Sequence, residues 1–440
     1  MYYAHFVTVT TCNMRSGASL LQSMPEIKKT QGHKTKPKQS KRTDVRRMKV
    51  LYKQRKYDVS NFIRRHPGGA HVFRNLEGQD VTPFVHLYHP CLQKPEEVLK
   101  TLPSEPMRCT DHVSYSSSYP YDYTLYLELK ERVRSFVDAH LSTSKWTWRN
   151  WFRHAWMGVV YCWLAFLYLT GPTFCVCVFL GVWSCCFLSS VCHEALHNSV
   201  SRTPLVNQCL GYGMLPFLSP SLWDVDHNIL HHGHVNTDTD NDFALFRSGM
   251  GRNSRSHPYR PWYRFLYLYM WPLACLVMMK KGIYKSVRCM GHYSKHADAD
   301  SIAHCITFVA FFGYVGIVHG CFYPLLVLAS FGLYFVCITQ VNHITANNTR
   351  TDIDKQDFCI NQIESSTNYR VSALSSFLFF GLNYQIEHHL FPGISTEHHG
   401  RIAEIVQAFC AEKNIRYNLK ASYPAAFRDY FLHLVDCSKP

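Results

Sequence analysis

The sequence predicts a mainly α-helical integral membrane protein preceded by a small, separate N-terminal module. Three observations carry that reading. Long apolar runs come in two pairs, histidines gather beside the ends of those runs, and two histidine-bearing turns lie well ahead of them. At 440 residues the chain has room for two or three domains. Its mean hydropathy of -0.15 averages strongly apolar blocks with very polar ones, so it excludes nothing by itself. The 26 histidines are clustered rather than scattered, which points to a metal.

In chain order, residues 1–49 are expected to be a basic, disordered arm. Residues 28–49, "KKTQGHKTKPKQSKRTDVRRMK", carry much of the net charge of +15 and show no apolar periodicity. No nucleic-acid-binding fold accompanies the arm, so nucleic acid is not an expected partner; beside a membrane, the arm meets anionic lipid. The start, "MYYAHFVTVTTCNMRSG", lacks a basic region followed by an apolar core, so no cleaved signal peptide is expected. Residues 50–105 form the small module, 106–150 a linker with an amphipathic pre-membrane segment, 151–425 the membrane domain and 426–440 a tail.

Four apolar runs, 155–171, 173–192, 302–319 and 322–341, are each roughly long enough to cross a bilayer core. Helices buried in a large soluble protein are the alternative. The two very short turns inside the pairs hold no Lys or Arg, which favours membrane hairpins. Residues 261–279, "PWYRFLYLYMWPLACLVMM", contain an arginine and an internal proline, and are expected as an interfacial or half-inserted helix, with a fifth span as runner-up. Between the hairpins lie Arg202, Arg247, Arg252, Arg255, Arg260, Lys280, Lys281, Lys285 and Arg288. Positive charge stays cytosolic, so both termini and this middle segment are expected in the cytosol. The 18 cysteines include no paired CxxC elements, and those of the second run read as reduced, small apolar residues.

Four histidine clusters follow, two of them, "HEALH" and "ITQVNHI", just beyond the second and fourth runs. "HEALH" holds His193 and His197, "HNILHH" holds His227, His231 and His232, and "ITQVNHI" holds Asn342 and His343. "LNYQIEHHLFPGI" holds Gln385, His388 and His389. On a helix, residues i and i+4 share a face, so each HxxxH can offer two imidazoles to one metal. Adjacent His231 and His232 stand about 100° apart on a helix, so each can serve a different metal. Four spans bring all four clusters to the cytosolic membrane face. Imidazoles without paired thiolates suit iron, copper or zinc, and their number exceeds the needs of one tetrahedral zinc. Two metals follow, and iron is favoured if the chemistry uses O₂. A zinc membrane hydrolase competes, because HExxH with Glu194 matches the metalloprotease pattern; the further histidine boxes argue against it. In "HVNTDTDND", Phe243 stands where a calcium loop needs glycine, so calcium is rejected. His234, Asn236, Asp238, Asp240 and Asp242 are expected to orient the histidines, an ordinary polar loop being the alternative.

In the module, "YDVSNFIRRHPGG" and "GQDVTPFVHLYHP" each put a histidine in a turn. Two such turns can ligate a haem iron from both sides, making it an electron carrier. His66 and His89 are the expected pair, with His86 as the alternative second ligand.

These motifs resemble those of the front-end fatty acyl desaturases, which fuse a cytochrome b5-like domain to a membrane di-iron domain. The likeness runs over residues about 50–420, and "QIEHHLFP", with glutamine replacing the first histidine of the third box, is its most specific part. Glu194 departs from the usual aspartate, and the haem module looks shortened, with no opening strand expected before Met48. The resemblance implies an α+β fold for the module, haem b and two iron ions as cofactors, and Gln385 near the metals. No catalytic residues beyond the metal ligands are implied. It further implies NADH–cytochrome b5 reductase as electron donor, O₂ and a fatty acyl lipid as substrates, the bilayer as surroundings, and the endoplasmic reticulum as location. Rival readings are a sphingolipid desaturase or acyl hydroxylase, and a non-catalytic haem-binding electron-transfer protein.

Overall fold

The structure, a computed structural model, describes residues 47–107, 121–241, 246, 248–284, 299–348, 357–372 and 376–440. Nearly all of the basic arm lies outside these residues, as do Asp242, Phe243, Arg247, Lys285 and Arg288.

The N-terminal module is built on a three-stranded antiparallel sheet, β1 (Lys49–Tyr52), β2 (Arg55–Asp58) and β3 (Ser104–Pro106). Val50 and Tyr52 face a small core with Val59 and Val81, as period-two alternation allows. The chain after the first histidine turn returns to β1, where Leu51 N–H donates to Gln79 O and Val81 N–H to Leu51 O. Helices α1 (Thr82–Tyr88) and α2 (Gln93–Thr101) follow. The first described strand begins at Lys49, one residue inside the stretch expected as arm; the stretch before Met48, where the opening strand is expected to be missing, lies almost wholly outside the described residues.

Helix α3 (Thr124–His140) turns Tyr126, Leu129 and Val133 inward against the Phe358–Glu364 and His399–Glu412 helices. The expected pre-membrane segment is thus partly a packed helix; the Tyr126 hydroxyl donates to Leu390 O at 2.8 Å.

Among the described residues, three helices of the membrane domain are long and apolar enough to cross a bilayer: Phe174–Leu196, Ala299–Val318 and Phe322–Asn342. The first expected span, α4 (Trp148–Thr170), is 23 residues long, but its opening turns carry Arg149, Asn150, Arg153 and His154. Its apolar stretch starts only at Ala155, which leaves about 24 Å of apolar helix. Trp156, Val159, Trp163 and Phe166 point outward from it. The helix starting at Phe174, α5, packs closely along Phe322–Thr339, because a Cβ on Gly181 would strike the Val327 carbonyl. Gly332, on the opposite side, lets that helix approach Ala274 O in the same way. Small residues permit this backbone approach where lipid gives no hydrophobic drive.

Leu266–Met278, from the segment expected as interfacial, lies along the last span and also packs on a C-terminal helix, Tyr423–Cys437. The expected tail is therefore mostly helix. Arg252 ties it down by donating to Lys439 O at 2.6 Å.

Candidate metal centre

Helix ends bring nine chemistry-bearing side chains together. His193 closes the Phe174–Leu196 helix and His197 caps it. His343 follows the last span, and Gln385, His388 and His389 share the helix Gln385–Leu390. His227, His231 and His232 come from a π-helical stretch, Asp224–His231.

The eight histidines form two groups, each with its ligand atoms within 4.8 Å of one another: His193, His197, His227, His232 and His388 in one, His231, His343 and His389 in the other. In the first, Nε2–Nε2 separations are 2.9 Å for His193 to His227, 3.2 Å for His193 to His197 and 3.2 Å for His227 to His232. Two cis ligands at about 2.1 Å from one metal stand about 3 Å apart, so these spacings suit a shared ion. In the second, Gln385 joins the group, its Nε2 3.0 Å from His343 Nε2.

The π turn decides which histidines pair. In an α-helix, His227 and His232 would stand about 140° apart. Here His232 N–H donates to His227 O, five residues back, and the wider turn returns both rings to one side. The expected pairing of His227 with His231 at one metal does not occur. Adjacent His231 and His232 do separate into different groups, as the sequence implies.

The tautomers favour metal ligation. His231 Nδ1 faces Asp240 Oδ2, His343 Nδ1 donates to Ser365 O, and His389 Nδ1 faces Gln362 Oε1, all at 3.0 Å. Those acceptors hold the proton on Nδ1 and leave each Nε2 lone pair pointing inward. The Nε2 atoms of His388 and His389, and Oε1 of Gln385, are buried without hydrogen-bond partners. Burial and neighbouring imidazoles hold His227, His232, His388 and His389 well below the ordinary histidine range, so they remain neutral donors. Converging lone pairs repel unless a cation lies between them. The donor set therefore fits two metal ions and, being imidazole-rich and thiolate-free, suits iron.

Glu194 has other work. It accepts from Trp146 Nε1 at 2.8 Å and Thr396 Oγ1 at 2.5 Å, which fixes the loop beside His193 and leaves no protease-like base. In the acidic run, Asp240 holds His231, and Asn236 N–H donates to the same carboxylate at 2.9 Å. Asp238 is exposed and His234 buried; Asp242 lies outside the described residues.

A cavity of about 390 Å³ is lined by His66, Gly68, Phe73, Phe84 and His89 of the module and by membrane-domain residues that include Leu196, His197 and Asn228. The His66 and His89 rings are 5.9 Å apart. Two imidazoles bonded to opposite sides of one iron at about 2 Å have roughly that separation. His89 Nδ1 donates to Val85 O at 3.1 Å, which frees Nε2, and burial with His89 nearby lowers His66 to about 4, keeping it neutral. Gly68 is needed because a Cβ there would sit 2.9 Å from the His66 ring. His86, the alternative ligand, instead stacks on Tyr123 at 4.0 Å, away from the cavity. These residues fit a bis-histidine haem.

Two neighbours escaped the sequence reading. Gln362 sits in "FCINQIE", where a polar residue amid apolar ones was the only signal. Tyr88, beside His89, has its hydroxyl 2.7 Å from His197 Nδ1.

Residues 169–421 match the family model for fatty acid desaturase, and residues 35–104 that for the cytochrome b5-like haem/steroid binding domain. The second match begins inside the basic arm. Probable Delta(5) fatty acid desaturase C of Dictyostelium discoideum is 26% identical over 411 residues, covering 85% of this chain and 88% of that protein. Chloroplastic acyl-lipid (7-3)-desaturase of Chlamydomonas reinhardtii is 26% identical over 82% of this chain and 75% of its own length. Fatty acid desaturase 3 of Homo sapiens is 26% identical, with 84% and 85% covered.

Proposed function

The chain belongs to the fatty acid desaturase family, and we propose that it is a front-end desaturase of polyunsaturated acyl chains. It is an oxidoreductase whose cofactors are two iron ions and haem. His193, His197, His227, His232 and His388 hold one iron in this reading. His231, His343, His389 and Gln385 hold the other, and His66 and His89 the haem. When bound, the irons supply the O₂ chemistry that removes two hydrogens from adjacent methylenes, consuming two electrons and two protons and releasing two waters.

The observation that carries the reading is a small pocket touching both histidine groups. It is about 40 Å³, and its lining combines His193, His227, His231, His343 and Gln385 with Trp223, Phe335 and Leu382. Apolar walls admit an acyl methylene and exclude water from the metal face. The neutral imidazoles bind without a counter-charge, and their Nδ1 partners hold them in orientation.

The finer reading follows the topology. The apolar helices cross the membrane as hairpins, in the endoplasmic reticulum, with both termini cytosolic, and NADH–cytochrome b5 reductase feeds the haem module. Fusing the module to the desaturase raises its effective concentration at the metal face. In this reading the domains are the arm to residue 48, the haem module from β1 at Lys49 to 105, the linker with α3 to 150, and the membrane domain, which runs into the C-terminal helix at Tyr423.

The test is lipid mass spectrometry of yeast expressing the chain and fed polyunsaturated fatty acids, beside His388→Ala. A new double bond on the carboxyl side of an existing one, absent in the variant, is expected. A hydroxylated product would overturn the desaturase assignment.

A further inference from the structure

Tyr88 belongs to the haem module yet reaches the metal centre. It ends α1, directly precedes His89 and lines the haem cavity. Its ring runs nearly parallel to that of His197, at 19°, and its hydroxyl lies 2.7 Å from His197 Nδ1. On the far side of the same imidazole, His197 Nε2 faces His193 Nε2 at 3.2 Å within the five-histidine group. With Nε2 turned to the metal, Nδ1 carries the proton and donates to the Tyr88 oxygen.

The module does not depend on this bond to stay in place. Arg74 pairs with Asp300, Asn75 Nδ2 donates to Ser221 Oγ at 3.1 Å, and Gly69 packs where a Cβ would meet Pro204. One neighbouring side chain thus spans two ligand sets: a peptide bond joins Tyr88 to His89, and a hydrogen bond joins it to His197.

We infer that Tyr88 is a positioning residue that orients His197 and forms the route by which electrons leave the haem module for the five-histidine site. With haem held by His66 and His89 and iron by the five histidines, each passage would carry one electron from ferrous haem to a ferric ion. No bond in the tyrosine breaks and no proton crosses. NADH, through its reductase, re-reduces the haem. The inference rests on the haem and metal ligands assigned above.

The test uses the purified full-length chain and its Tyr88→Phe variant, with three readouts: haem absorbance, iron per chain, and the stopped-flow rate at which pre-reduced haem is reoxidised in air-saturated buffer with a polyunsaturated acyl substrate. Haem absorbance and iron content are expected to stay unchanged while reoxidation slows about tenfold or more, the usual effect of losing a ligand's outer partner. An unchanged reoxidation rate overturns the inference. So does a variant that loses iron but reoxidises at the parent's rate per iron, because Tyr88 would then only brace His197. A parent chain without haem or iron would refute the ligand assignment itself, and the electron route with it.

Discussion

The two histidine groups differ in how many donors they have and in what holds those donors. The larger draws five imidazoles from all three boxes, and one of them leans on Tyr88 of the haem module. The smaller takes one imidazole from each of three segments, adds Gln385, and locks every ring through Nδ1 onto Asp240, Ser365 O or Gln362. Five nitrogens come close to filling the shell of one ion. Three nitrogens and an amide leave more positions open, as catalytic metal sites do. The larger group therefore offers more donors and is touched by Tyr88 of the N-terminal module, while the smaller is held rigidly but offers fewer.

Single histidine losses break this comparison most sharply. His389→Ala is expected to abolish product and release about one iron per chain, because only two imidazoles and an amide remain to hold it. His388→Ala is also expected to abolish product, yet to retain more iron, since four imidazoles remain. Equal iron loss in the two variants, measured on purified protein, would remove the distinction between the sites. The haem spectrum should survive both. His66→Ala reverses the pattern, removing haem absorbance and leaving iron in place; an unaltered spectrum would refute that ligand.

A smaller effect tests the locking. Asp240→Asn preserves the shape beside His231 but replaces the carboxylate with an amide. Loss of such an outer partner typically costs about 10–100-fold in activity or metal affinity. Turnover at saturating iron separates poor orientation from poor binding. A variant that turns over at the parent's rate would show that His231 needs no anchor.

The sequence made the donor set legible and its partition only partly so. Each box carries several polar ligands close together, which is a strong local signal, and the separation of His231 from His232 follows from their angular offset on a helix. The pairing of His227 with His232 was not legible, because α-helical periodicity assigns His227 to His231, and nothing local to "HNILHH" announces the π turn. Tyr88 escaped because its partner lies 109 residues away, and contact between separate modules leaves no periodic trace. The C-terminal helix was read as a tail although "YPAAFRDYFLHLVDC" begins with a Ser422 cap and a proline in its first turn.

The smallest expected effect belongs to Gln385, and it sharpens the comparison furthest. An amide is a weaker donor than an imidazole, so Gln385→Ala should lower iron retention less than His389→Ala does. Gln385→His puts a stronger neutral donor on the helix face that already carries His389, four residues on. That change should raise the iron held after dialysis against a chelator and at the same time lower turnover, because it fills a position that the sparse site leaves open. Iron retention and turnover would then move in opposite directions. If they rise together, glutamine is merely a poor ligand, and the open position has no part in the reaction.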